Sequence, residues 1–410
     1  MKRYLYLITI VLVIAIVVLI GILISRRVGP GTEPIDTDDG TTTPGGLPVA
    51  PPTGVSDGQI NNNNHVVAPN YAGQKFSVVA ENKAVDFFTN KDESVVLVQP
   101  DGQVFKIHSG QVTLLSSSSV PDLITTQFSY DGKKILEIMG NRLAPQARIF
   151  DVTSKLWQPL PQEIHYPSWS PTNYQIAYLG KRSGAGAIFT LDTSKTTATP
   201  QEILKIEIQD VDLRWTSQNQ IILADKGSSF AGGSVWSFDI RNKKLTPFLL
   251  DNLGLDLIWG SAYGLVFSSN QNQRGGILNL FDAAGKPLHE MSFITLPTKC
   301  AFDFQAGATA TSTGRVSSQL GASTTTVKSL YCAVPKNIEV MKAIPLPDSY
   351  FRKELFTDDE FYKVDLTDGK IDVIPSGKLT QTDALRLKVF NNTLFFINRL
   401  DNRLYAISLR

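Results

Sequence analysis

Residues 125–138 read TTQFSYDGKKILEI and residues 166–179 read YPSWSPTNYQIAYL. In both, a short apolar strand ends in an aromatic, a polar turn follows, and a second apolar strand begins about seven residues after the aromatic. Outward from this pair the pattern recurs as VDFFTNKDESVVLV at 85–98, DLRWTSQNQIILA at 212–224 and DLIWGSAYGLVFS at 256–268. Two less regular copies are CAFDF at 300–304, completed by SLYCAV at 329–334, and LRLKVFNNTLFFIN at 385–398. The marking aromatics are Phe88, Phe128, Trp169, Trp215, Trp259, Phe304 and Phe390. The first five steps between them are about 40 to 46 residues, the period of a four-stranded propeller blade. The last step is about twice as long because two insertions, 305–326 and 335–358, fall within its blade. Third and fourth strands follow each pair, as in ARIFDVTSKLWQPLP and SVWSFDIRNKKLTPFLL, joined by ordinary Asp-rich hairpin turns. These features predict an all-β domain over 71–410, folded as a seven-bladed β-propeller.

The last repeat supplies only three strands, and QKFSVVA at 74–80 is a strand with no blade of its own. It is expected to pair as the outer strand of the final blade, closing the ring and removing the open edges of an unclosed array.

Pro167-Ser168-Trp169-Ser170-Pro171 with Ile176-Ala177-Tyr178, and Gln127-Phe128-Ser129-Tyr130-Asp131-Gly132-Lys133-Lys134-Ile135, resemble the TolB-type, WD40-like propeller repeat, akin to the N-terminal propeller of dipeptidyl peptidases. The resemblance covers roughly residues 74–410. In the Trp169 copy, Thr172-Asn173 replaces the usual Asp-Gly turn. It implies the fold and an extracytoplasmic setting, and no particular activity.

If Phe302 opposes Leu330 in the sixth blade, Cys300 falls opposite Cys332, near enough for a disulfide. The alternative is two separate buried thiols. A disulfide belongs to an oxidising compartment. In the second insertion, Asp348 and Ser349 read as the cap of a short helix running to Leu355.

Residues 4–24, YLYLITIVLVIAIVVLIGILI, match the roughly 30 Å hydrocarbon core of a bilayer as one transmembrane α-helix. The run is long for a signal peptide and ends in Ser25-Arg26-Arg27 without a small-residue cleavage site. Residues 1–27 therefore read as an anchor and 28–70, rich in Pro, Gly, Thr and Asn, as a disordered linker. Lys2 and Arg3 balance Arg26 and Arg27, so flanking charge leaves the orientation open. The cysteine pair favours a single-pass protein with its C-terminal domain outside the cytoplasm.

A net charge of +1 argues against a nucleic-acid partner. The four histidines (His65, His108, His165, His289) show no metal-ligand spacing, and no C-x-x-C occurs, so neither metal nor cofactor is expected. Gly227-Ser228-Ser229-Phe230-Ala231 is the nearest approach to a G-x-S-x-G elbow and ends in Ala. Arg142, Lys181, Arg182, Lys226, Arg274 and Arg352 all fall in connections between second and third strands. They would share one rim suited to an acidic protein surface or an anionic polymer, or else be ordinary solvated loop charges. The preferred expectation is a monomeric, membrane-tethered binding or scaffold module for a protein or cell-envelope polymer. The alternative is an envelope hydrolase or lyase working in the central funnel.

Overall fold

The computed structural model describes residues 76–409, except 142–143, 162–163, 183–184, 196, 208–209, 305–326 and 377–380. The expected span 4–24 and linker 28–70 lie outside these residues. No helix among the described residues is long and apolar enough to cross a membrane.

Twenty-eight strands form seven four-stranded antiparallel sheets. Each sheet is a blade of a seven-bladed β-propeller. The inner strands are Asp86–Thr89, Leu123–Phe128, His165–Trp169, Val211–Ser217, Asp256–Trp259, Cys300–Phe304 and Ala384–Phe390, numbered here as blades 1 to 7. In six blades the strands succeed one another outward in chain order. Blade 7 is composite: the chain's first described strand, Phe76–Lys83, lies outside Arg403–Ser408, with Phe76 opposite Ile407 and Lys83 opposite Arg403. The Phe76 and Tyr405 rings stack there at 5.2 Å.

The second strand of each blade is an almost wholly buried apolar run, as in Val95–Val98, because it faces neighbouring blades on both sides. Cores therefore form between blades. Ala177 and Leu179 of blade 3, for example, pack with Leu213, Trp215 and Leu223 of blade 4.

The repeat's signature residues make the joints. The Trp169 indole N–H donates to Gln127 O at 3.1 Å, and the Gln127 amide donates to Pro167 O at 2.7 Å. The Ser168 hydroxyl accepts the Trp215 N–H at 2.9 Å, carrying the belt on to blade 4. Gly132, at φ +73°, lies flat on the Phe88 ring, where an added Cβ would come within 2.2 Å of a ring carbon. The Asp-Gly turn of blade 2 is thus also a contact with blade 1.

In blade 6, Cys300 and Cys332 are directly opposed, as are Phe302 and Leu330, and the cysteines form a disulfide with a Cα–Cα distance of 4.1 Å. The insertion 335–358 carries two short helices, α1 (Ile338–Ala343) and α2 (Asp348–Phe351). The expected cap is not what Asp348 does. It sits inside the first turn of α2, Pro347 occupies the N-cap without a side-chain cap bond, and the helix stops at Phe351 rather than Leu355. Its carboxylate is instead committed to another blade.

Candidate functional site

In an antiparallel blade, turns between first and second strands emerge at one end of the ring, and connections between second and third strands at the other. The two ends of this propeller differ in kind.

At the first end a funnel of about 1180 Å³ opens along the axis. The ends of the inner strands line it, with Phe88, Phe128, Ile258, Trp259, Phe302 and Phe390 as apolar wall. The turns holding Lys91, Asp92, Tyr130, Asp131 and Lys133 form its mouth. Size and lining fall in the range of small-molecule and segment-binding pockets.

Apart from Lys91, the charges lining the funnel come in pairs. The Lys388 ammonium lies 3.2 Å from Asp86 and over the Phe87 and Phe128 rings at 4.6 and 5.5 Å. It also donates to the Phe87 carbonyl. Loss of hydration in that setting pushes Lys388 below the usual lysine range, with Asp86 opposing the shift. Arg214 meets Asp212 at 3.2 Å, Lys106 meets Asp92 at 3.3 Å, and Lys133 meets Asp131 at 3.7 Å. The Ser94 hydroxyl bond, with Lys106, holds Asp92 down at about 2. Asp131 is held below its ordinary value, against burial, by the Tyr174 hydroxyl at 2.7 Å together with Lys133 and Ser129. Asp92 and Asp131 are held ionised by these cations and hydroxyls, and neither is poised to donate a proton near neutral pH.

The other end is crossed by the insertion 335–358, which acts as a strap. Asp348 accepts the backbone N–H of Ser229 in blade 4 at 2.6 Å and also the Ser229 hydroxyl. Gly275 of blade 5 donates to Ile344 O at 3.0 Å, and Ser269 donates to the Leu346 carbonyl. At the far end, Arg399 of blade 7 donates to Leu355 O at 2.7 Å. The strap thereby touches blades 4, 5 and 7 besides its own.

Its root is a fully buried charge cluster. The Lys299 ammonium, 0% exposed, donates to Asp359 and Asp383 at 2.7 Å each and to Thr357 at 3.0 Å. The Tyr350 hydroxyl donates to Asp383 at 2.7 Å. Lys299 is kept charged: the two carboxylates outweigh the cost of burial and raise it above the usual lysine range. The cluster is sealed from solvent and holds the strap down.

Of the cations singled out in the sequence, Lys181, Lys226, Arg274 and Arg352 belong to the strap end and do not line the funnel. Lys181 and Arg274 are exposed. Lys226 is shared with Asp210 at 3.5 Å and lies over the Tyr166 ring at 4.2 Å. Arg352 is bound to Glu354 at 2.7 Å. Arg142 and the side chain of Arg182 lie outside the described residues. Sequence reasoning missed Lys388 and the aromatic wall as funnel lining. The signal was present, since Phe88, Phe128, Trp259 and Phe390 are the repeat's own markers.

Among the described residues no three His, Cys, Asp or Glu side chains are grouped so as to hold a metal ion. No protein-family model and no curated protein matches the chain. Among solved structures it is similar to an oligogalacturonate lyase in complex with manganese, at 10% identity over 82% of this chain and 90% of that one, TM-score 0.52. It is likewise similar to a Listeria monocytogenes EGD-e protein, at 12% identity over 82% and 98% of the two chains, TM-score 0.50. TolB from Acinetobacter baumannii matches at 11% identity over 80% and 65%, TM-score 0.34. At these identities the likeness speaks for the propeller fold alone.

Proposed function

We propose that this protein is a membrane-tethered, extracytoplasmic binding module that receives an extended segment of a protein or cell-envelope polymer in its axial funnel. One observation carries the reading: the funnel combines a broad aromatic wall with a mouth whose charges, Lys91 apart, are neutralised in pairs. Such a lining favours apolar faces and stacking rings while keeping polar groups hydrated at the entrance. The run 4–24 supports the tether, and the Cys300–Cys332 disulfide supports the outward-facing placement.

The test places a photo-crosslinking amino acid at Tyr130, on the mouth, and at Leu156, on the outer strand of blade 2, in cells carrying the full chain. A discrete adduct from position 130, absent from 156 and lost when Val389→Trp fills the funnel, is the expected result. Equal labelling from both positions, or indifference to Val389→Trp, overturns the reading.

A further inference from the structure

Two hydrogen-bond donors face each other across the funnel. Of the charged side chains lining it, Arg214 and Lys388 alone, among the described residues, belong to inner strands. The others lie in the mouth turns or, like Lys106, pair with them. Arg214 belongs to blade 4 and Lys388 to blade 7, three steps of seven apart around the ring and so nearly opposite. They stand one and two residues before the marker aromatics Trp215 and Phe390, which puts both at the depth of the apolar wall. Arg214 donates to Asp212 and stays 37% exposed, while Lys388 donates to Asp86 and the Phe87 carbonyl and stays 35% exposed. Each keeps N–H groups that these acceptors do not use. Asp86, Asp212 and Asp256 precede Phe88, Arg214 and Ile258 by two residues on their strands, so they lie deeper, toward the strap end, and outside the lining. At the level of the wall the funnel therefore offers charged donors and no carboxylate. A group that sits there must bring acceptors.

The apolar lining fills the two sides between these donors. Phe88 and Phe128 stand on blades 1 and 2, and Ile258 and Phe302 on blades 5 and 6. An extended peptide has the same four-sided character: successive carbonyls point to opposite sides, and successive side chains to the other two. We propose that the occupant of the funnel is an extended apolar run of a partner protein, its successive carbonyls received by Arg214 and Lys388 and its successive side chains by the two apolar walls. This inference rests on the funnel reading and narrows it from a protein or polymer to a protein. A glycan fits less well, because hydroxyls all round its rings would be pressed against phenyl and aliphatic surface without partners. A lipid acyl chain carries one polar end and leaves one of the two opposed donors unmet.

The test uses the full chain in neutral-lipid nanodiscs and a displayed library of short peptides, about twelve residues long. Selection on the native chain, counter-selected on Val389→Trp, is expected to enrich peptides with an uninterrupted run of three or four apolar residues, roughly the depth of the wall. Arg214→Met/Asp212→Asn and Lys388→Met/Asp86→Asn each remove a donor together with its carboxylate, so no charge is stranded. Each should weaken the best peptide about tenfold. The Arg214 pair is half open to solvent, so that variant keeps the test alive if the other does not fold. Esters placed one at a time in the peptide backbone weaken its carbonyls as acceptors. One ester should lower affinity for the native chain and leave affinity for the Arg214 variant unchanged. Apolar peptides that bind regardless of both variants, or an ester effect that persists in the Arg214 variant, overturn the proposal. Chitohexaose or palmitate bound in a manner that Val389→Trp abolishes, with no peptide enriched, overturns it too and leaves the funnel reading in place. Binding of none of the three probes, with no adduct from position 130, removes both.

Discussion

Asp348 and Ser229 are 119 residues apart, yet the carboxylate of one accepts the backbone N–H of the other at 2.6 Å. This bond fastens the strap to blade 4. Asp348→Ala removes a charge-assisted pair worth about 1.5–3 kcal/mol. The strap tip should then exchange its amide hydrogens faster, while the sheets of blades 1 to 3 stay as protected as before. Unchanged exchange across 346–352 would show the bond to be dispensable.

Lys299→Met should be among the most damaging single changes. It leaves Asp359 and Asp383 buried without their ammonium, and breaking a buried ion cluster from one side costs about 3–5 kcal/mol. The urea midpoint should fall by the corresponding amount. Replacing an exposed lysine such as Lys336, whose pair with Asp358 is half open to solvent, should shift it by about 1 kcal/mol at most.

Cys300→Ser/Cys332→Ser opens a covalent loop containing the long insertion 305–326. The chain-entropy account puts the loss at about 3–4 kcal/mol. Thiol titration of the unfolded, unreduced protein should find no free thiol, and reductant should lower the stability of the native protein but not of the double variant.

Val79 is buried in the first strand, whose pairing with Arg403–Ser408 closes the ring. Val79→Asp puts an unpaired charge into that seam and should cost several kcal/mol, about 3 or more. Limited proteolysis should then cut first within 76–83 and 384–408. Cleavage spread evenly over all blades would show that closure at this seam is not what holds blade 7.

Glu137 is buried between blades 1 and 2, 2.8 Å from Arg148, and loss of hydration pushes it up to about 7 despite that cation. A carboxyl group whose folded value lies above its unfolded one binds its proton more tightly when folded. Its contribution is therefore most favourable below about pH 4.5 and declines as pH rises to about 7. The decline amounts to about 3 kcal/mol. The native protein's stability relative to Glu137→Gln should fall between those values and level off above them. A pH-independent difference would refute the assignment.

The ring itself was legible because its information is periodic. An aromatic every forty-odd residues, followed by a buried run, forces each segment to seek a neighbour on both sides, and seven such segments make the seven blades observed. Register in blade 6 was legible for the same reason: once Phe302 faces Leu330, the two-residue period of a strand places Cys300 against Cys332. The strap was not legible. Residues 335–358 have no repeat to align them, and Asp348, read locally, looks like a helix cap. Only the path of the chain over blades 4 and 5 reveals that its partner is Ser229. Lys299 was invisible too, since a lysine beside a strand ordinarily points to solvent. Its burial depends on Asp359 and Asp383, which arrive from separate connections. The funnel's lining was missed for a subtler reason: the marker aromatics were read only as the periodic ends of strands, and the half-buried ones also wall the axis.

The composite seventh blade sets a condition on biosynthesis. The strand at 76–83 is among the first of the domain to be made, and its partner is among the last. Until Arg403–Ser408 has been made, that early strand must persist as an unsatisfied edge, and the six intermediate blades must gather without a closed circle to align them. A ribosome that stops even a few codons before Ser408 therefore releases a gapped crescent with two sticky margins rather than a slightly shortened ring.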